Sequence, residues 1–154
     1  PSLSEEEQIL LSTTLESLPK LSQIIDGPTI IGMQKAVRGI GVSHEVANYA
    51  ARLARATRPG SPEAPDFVNQ WVRWGCGPRA GQGLLLAAKS NAGLAGRSEA
   101  TFEDVKKFVH PVLRHRMGLN FAAVSEGQST DDIVDMLVKH VPEKASAAAP
   151  QKEA

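Results

Sequence analysis

The chain has little cysteine, few aromatic residues and no long apolar run, and each shortage excludes a class of protein. One cysteine, Cys76, in 154 residues leaves no disulfide framework within the chain. No apolar run approaches the ~18 residues that a membrane span requires. The chain starts at Pro1, without Met and without an apolar signal segment. Aromatic residues make up only 5%, alternation is almost absent, and no strand-like stretch of any length is expected. With 42% hydrophobic and 22% charged residues the composition is that of a globular chain. The expectation is a soluble, cytoplasmic domain cut from a longer protein, large enough to bury a modest helical core.

Reaction chemistry is equally scarce. His44, His110, His115 and His140 show no Cys/His zinc spacing and no HExxH pattern. Cys76 has no obvious base and reads as a small buried hydrophobe. Asp131, Asp132 and Asp135 read as helix-start charge, without the ligand order of a calcium loop. Gly75, Gly77, Gly81 and Gly83 make a glycine-rich stretch, but no Gly-Lys-Ser or Gly-Lys-Thr follows, so it is no Walker A loop. No apolar strand ends in acids that could hold magnesium, so the chain by itself assembles no nucleotide-hydrolysing site.

What is present is helical spacing and an uneven charge. Residues 1–34 carry −4, residues 35–116 carry +7 and residues 117–154 carry −3, which cancel to zero. A basic middle between acidic ends suits an anionic partner or a solvated arginine coat. Ser4 with Glu7 is expected to cap a first helix through Ile9, Leu10 and Leu11. Leu18-Pro19 and Asp26-Gly27-Pro28 break the chain before a second helix over Thr29–Arg38. Ser43 caps a third, with Val46, Ala50, Leu53, Ala54 and Thr57 on one face and Arg52, Arg55 and Arg58 off it. Phe67, Trp71 and Trp74 form a stripe on a short helix that Gly75 ends. Pro78 starts the next helix, which carries Ala80, Leu84, Ala87, Ala88 and Ala92. Thr101 with Asp104 caps another, which Pro111 breaks or kinks, and Thr130 opens the last. The fold class expected is all-α, a compact bundle of about six or seven helices with a disordered C-terminal tail.

One residue is out of place by ordinary rules. Arg79 falls at about the second position of the helix begun by Pro78. A helix start carries unpaired N–H groups and roughly +0.5 charge, so a cation there is repelled. A phosphate at that turn would reverse the sign, because it accepts N–H groups and a guanidinium fork together; the other reading of the residues is an exposed arginine pointing into water. Gly77 and Gly81 leave room for a close approach.

At these residues the chain resembles a family. Gly75-Cys76-Gly77-Pro78-Arg79-Ala80 resembles the Gly-Ala-Ser-Pro-Arg-Ala segment of MoxR-type AAA+ ATPases. The likeness includes Ser43 to Tyr49, Leu53 to Arg58, Gly96-Arg97 and Thr101 to Val105. It continues through Pro111-Val112-Leu113-Arg114-His115-Arg116, Glu126-Gly127 and Thr130-Asp131-Asp132-Ile133, from about Ser4 to Val141. The resemblance implies the C-terminal helical lid of such an ATPase without its nucleotide-binding core. The lid would cover residues 1–141, with 1–28 an N-terminal helix and connector to the missing core, and 142–154 a flexible tail. It implies that Arg79 is the sensor 2 residue, reaching the γ-phosphate of ATP that the core holds with Mg, with Pro78 and Gly77 beside it. Loss of that phosphate would release the lid to rotate. The family forms hexameric, homo-oligomeric rings that remodel client proteins in a chaperone-like way, often with partners carrying a von Willebrand factor A domain, and some assist metal-cofactor insertion. Arg114 and Arg116 are the next candidates, for contact with the core or a neighbouring subunit, or as an exposed basic helix end.

Cys76 and Gly77 stand where the family has Ala and Ser, which removes a side-chain cap. Gly81 and Gly83 inside the helix each cost ~1 kcal/mol against Ala and would admit the core closely. The fragment alone is expected to be inactive, and the parent an ATPase. The alternatives are a stand-alone helical nucleic-acid-binding module using Arg52, Arg55, Arg58, Arg114 and Arg116, or a protein-interaction domain; membrane contact is not expected.

Overall fold

The structure is a computed structural model that describes residues 1–16 and 20–144. The chain divides into two compact units, Pro1–Gly32 and Met33–Ala154. The Leu18-Pro19 break and most of the 142–154 tail lie outside the described residues.

In the first unit, α1 covers Leu3–Thr13. Its capping box is Ser2 with Glu5, one pair earlier than Ser4 with Glu7. The Ser2 N–H donates to the Glu5 carboxylate at 2.7 Å, and Ser4 is left inside the helix. Both pairs carry the same Ser-x-x-Glu signal, and the earlier one gives the helix an extra half-turn. No residue of α1 is buried. Helix α2, Gly27–Gly39, begins here and runs into the second unit. Asp26 starts it by accepting the Thr29 N–H at 2.9 Å, so Gly27 and Pro28 lie in its first turn rather than ahead of it.

The second unit holds the core. Helix α3, His44–Ala56, is capped by Ser43, whose hydroxyl accepts the Val46 N–H, and it buries Val46, Tyr49, Ala50, Leu53 and Ala54. Helix α4, Asp66–Trp71, is short; α5, Pro78–Leu94, is the longest; α6 is Phe102–Lys107 and α7 Val109–Leu113. Helix α8 is Phe121–Ser125 and α9 Thr130–His140. Helix α5 lies at the centre, packed on α3, α6 and α7, and it buries Ala80, Leu84, Ala88 and Ala92 in a stripe of period four. Its small residues let its neighbours come close. Gly83 faces α7, where an added Cβ would stand 3.2 Å from a Val112 methyl. That glycine serves packing inside the domain.

The all-α bundle is as expected, with nine helices among the described residues rather than six or seven. Of the break or kink expected at Pro111, the structure shows a break, placed three residues earlier at Phe108. A proline in mid-helix clashes with the carbonyl four residues back and donates no N–H. The chain therefore breaks at Phe108 and restarts at Val109, which puts Pro111 in the first turn of α7, where its missing N–H costs nothing.

Short strands are also present. β1 (Gly41–Val42) pairs in parallel with β3 (Glu99–Ala100), and β2 (Val72–Trp74) pairs antiparallel with β4 (Gly118–Leu119). The second ladder corrects the aromatic stripe. Helix α4 ends at Trp71, because Val72 turns extended to pair with Leu119. Phe67 and Trp71 pack on the core, while Trp74 sits on the strand, half exposed, with its ring over Gly118.

Candidate functional site

The start of α5 is built by the end of α3. Thr57 follows α3 and is completely buried. Its hydroxyl donates to the Ala54 carbonyl at 2.7 Å and accepts the Cys76 N–H at 2.8 Å. Arg58 Nε donates to the Cys76 carbonyl at 2.7 Å. Gly75 lies so close to this corner that a Cβ on it would stand 2.2 Å from the Thr57 carbonyl oxygen. Only glycine fits there.

Cys76 is buried, and its thiol sits 3.9 Å from the Leu113 carbonyl at the end of α7. Burial pushes the thiol pKa up, against smaller opposing effects of the Thr57 hydroxyl and the charges of Arg116 and Arg58. A thiol so held is a poor nucleophile, in line with its reading as a buried hydrophobe.

Beyond this anchor the chain opens to solvent. Gly77 is the N-cap of α5 in an extended conformation and makes no side-chain cap bond. Pro78 is the first helical residue and Arg79 the second, and all three are exposed. No acidic residue lies in this first turn. An added Cβ at Gly77 or Gly81 would meet nothing within 4 Å. A groove of about 320 Å³ runs alongside between α3 and α5, floored by Ala47, Ala50, Ala51 and Ala54 and edged by Arg55, Arg58, Pro78 and Gly81. A helix start with an exposed guanidinium and no carboxylate in its first turn has the polarity that suits an anion.

Arg116 lies at this same end, with its charge felt at Cys76 and its guanidinium donating to the Val112 carbonyl at 3.1 Å. Arg114 is held elsewhere, in an ion pair of 3.1 Å with Asp131 of α9. Asp131 and Asp135 also take the two ring nitrogens of His110, at 3.3 and 2.9 Å. Asp132 closes a capping box with Ser129, the helix-start role expected of this acidic group. Among the described residues no group of His, Cys, Asp and Glu is arranged to hold a metal ion, and no helix is long and apolar enough to cross a membrane.

The far end of α5 is anchored by a buried carboxylate. Asp104, 3% exposed, accepts both terminal nitrogens of Arg97 at 2.7 and 2.6 Å, the Asn91 amide at 2.5 Å and the Thr101 N–H at 2.8 Å. The Arg97 guanidinium, foremost among these, holds its carboxyl well below the usual carboxylate range. Thr101 with Asp104 is legible as a capping box; that the same carboxylate binds Arg97 and Asn91 is not. The grip of Thr57 and Arg58 on Cys76 was likewise missed, because it joins residues 18 and 19 positions apart.

Comparison with known proteins places these elements in context. The family model of the AAA lid domain matches residues 67–137. The chaperone MoxR1 of Mycobacterium tuberculosis is 29% identical over 152 residues, which is 99% of this chain and 40% of that protein. The chain thus spans about two-fifths of the curated relative it matches. The crystal structure of a presumed ATPase from Cytophaga hutchinsonii superposes with a TM-score of 0.73 at 22% identity, over 92% of this chain and 43% of that one.

Proposed function

The chain is the C-terminal lid of a MoxR-type AAA+ ATPase, and from that premise we propose that Arg79 is its sensor 2 residue, directed at the γ-phosphate of ATP held by the nucleotide-binding core of the same protein. The observation that supports this reading is the build of the α5 start. It is uncapped, free of acids, open around Gly77 and led by an exposed arginine.

In this reading residues 1–28, which carry α1, would join the lid to that core. ATP, bound with Mg by the core, supplies the phosphoanhydride bond. The lid's own residues do the rest of what is proposed here. Pro78 presets the backbone of the first turn, and Gly77 leaves its outer side clear. Arg79 brings two N–H donors in a fixed plane, which suits a phosphate better than a point charge does. While the terminal phosphate is in place, that bond holds the lid; once it leaves, the lid turns freely against the core. In a ring of such subunits, a hexamer in this reading, the turning drives chaperone-like remodelling of client proteins in the cytoplasm. A protein with a von Willebrand factor A domain would serve as adaptor. Arg116 and Arg114 would meet the core or a neighbouring subunit.

The test is steady-state ATP hydrolysis by the full-length ATPase beside its Arg79→Ala variant, with ATP binding measured on both. Turnover should fall by at least about tenfold while the fold survives; arginines that complete phosphoryl-transfer sites can contribute ~10³ or more. Unchanged turnover would sink the assignment.

A further inference from the structure

We propose that Thr57 and Arg58 are positioning residues for Arg79, gripping the Cys76 peptide by both of its polar atoms and so aiming the first turn of α5. The proposal rests on the reading of Arg79 given above. Two consecutive residues at the end of α3 take the two opposite poles of one residue ahead of α5. The Cys76 N–H goes to the Thr57 hydroxyl, and the Cys76 carbonyl accepts from Arg58 Nε. The Thr57 hydroxyl proton is already committed to Ala54, so a lone pair is what it presents to Cys76. Because Thr57 is fully buried, water does not compete for this bond. The bond from Arg58 has a charged donor and belongs to the stronger class.

On the far side of Arg79 the turn is held by buried Ala80, whose N–H donates to the Gly77 carbonyl at 3.0 Å, and the grip on Cys76 holds it on the near side. Gly77 touches nothing where a side chain would be and makes no cap bond. Pro78 has a fixed φ but no N–H to tether. The backbone bonds between the held Cys76 and Arg79 are few, so fixing Cys76 narrows where the Arg79 backbone stands, the point from which its own side-chain torsions carry the guanidinium. Gly75 seals the arrangement from behind, with backbone against backbone. Release of Arg58 would leave the helix in place, held by buried Ala80 and Leu84, but would loosen the approach through Gly77 and Pro78. A small misplacement of a group that meets reacting atoms is costly in rate.

The experiment is a double-mutant cycle on the full-length ATPase, reading kcat and KM for ATP in R58A, R79A and R58A/R79A, with circular dichroism to confirm folding. R58A should lower kcat by about tenfold with a smaller change in KM, and should have no further effect once Arg79 is absent. Thr57→Val, which keeps the shape and removes the hydroxyl, should act in the same direction, and Thr57→Ser should restore turnover. If R79A lowers turnover while R58A does not, or if the two losses multiply, Arg58 does not act through Arg79 and the proposal falls alone. If R79A leaves turnover unchanged, the reading of Arg79 falls and takes this proposal with it.

Discussion

Gly75→Ala should be among the most damaging one-carbon changes available in this domain, and its cost follows from what the new methyl would strike. An ideal Cβ at Gly75 stands 2.2 Å from the Thr57 oxygen, 2.5 Å from its carbonyl carbon and 2.6 Å from Arg58 Cα. All three are backbone atoms at the end of α3, so relief requires that α3 and the approach to α5 part by about 1 Å, since carbon contacts want ~3.5 Å or more. Overpacking of this kind costs ~1–3 kcal/mol. The parting also stretches the two bonds to Cys76, worth ~1 kcal/mol for the buried neutral one and ~1.5–3 for the charged one. A total of about 3.5 kcal/mol is expected, rising to about 7 if both bonds are lost outright. Gly118→Ala is the control. Its Cβ also meets an atom at 2.2 Å, but that atom belongs to the Trp74 ring, which is 55% exposed and free to swing outward. It should cost about 1 kcal/mol. Gly77→Ala, with nothing within 4 Å, should stay within about 1 kcal/mol, because the lost N-cap preference and the gained chain stiffness oppose each other. Urea unfolding of this chain, followed by the fluorescence of Trp71 and Trp74, gives the three midpoints. If Gly75→Ala and Gly118→Ala shift the midpoint equally, the corner between α3 and α5 is not the rigid contact described, and the argument from backbone obstruction fails.

Arg79→Ala in the isolated chain should leave the Tm within about 2 °C, with any shift upward, since it removes a cation from a positive helix end; a marked loss would make Arg79 structural. Asp104→Asn should cost about 1–2 kcal/mol by urea unfolding, because it removes charge-assisted bonds from Arg97, whose side chain is 39% exposed and can turn to water. The same carboxyl sets a pH dependence. Its folded pKa is lowered, so its stabilising effect is complete above the unfolded value of about 3.9 and is lost as pH falls below it. Midpoints measured from pH 5 downward should fall less steeply for Asp104→Asn than for the wild type; parallel curves would mean that the carboxylate is not held as described. The isolated chain should bind ATP too weakly for calorimetry at micromolar concentrations, since the lid offers one wall of a site, and micromolar affinity from these residues alone would contradict that.

What could be read from the sequence was local, and what could not was paired at a distance. Ser43, Pro78 and Thr101 announce helix starts within four residues, and each starts a helix in the structure. Arg79 is legible for the same reason, since its place in the first turn follows from Pro78. Trp74 misled because helical spacing was continued past Trp71, where pairing with a strand about 45 residues on overrides it. Ser2 and Ser4 offer the same cap signal, and nothing local distinguishes Ser2, which caps α1, from Ser4. Helix α8 has five residues and buries only Ala123, too short a period to register. The glycines show the divide most sharply. Gly83, which by position suggests room for another domain, makes room for Val112, while Gly75, which by type suggests a helix stop, is the point where two backbones touch.

Helix α5 has both ends fastened, one through Cys76 to the end of α3 and the other through Asn91 and Arg97 to Asp104. Mechanically it is a strut. Its 17 residues span about 25 Å. With both ends tied and its length packed on α3, α6 and α7, a displacement of its first turn is passed to the neighbouring helices. A tilt of about 10° about the arginine end would sweep the other end through roughly 4 Å, so a displacement too small to notice at one end of the domain becomes a step the length of a residue at the other.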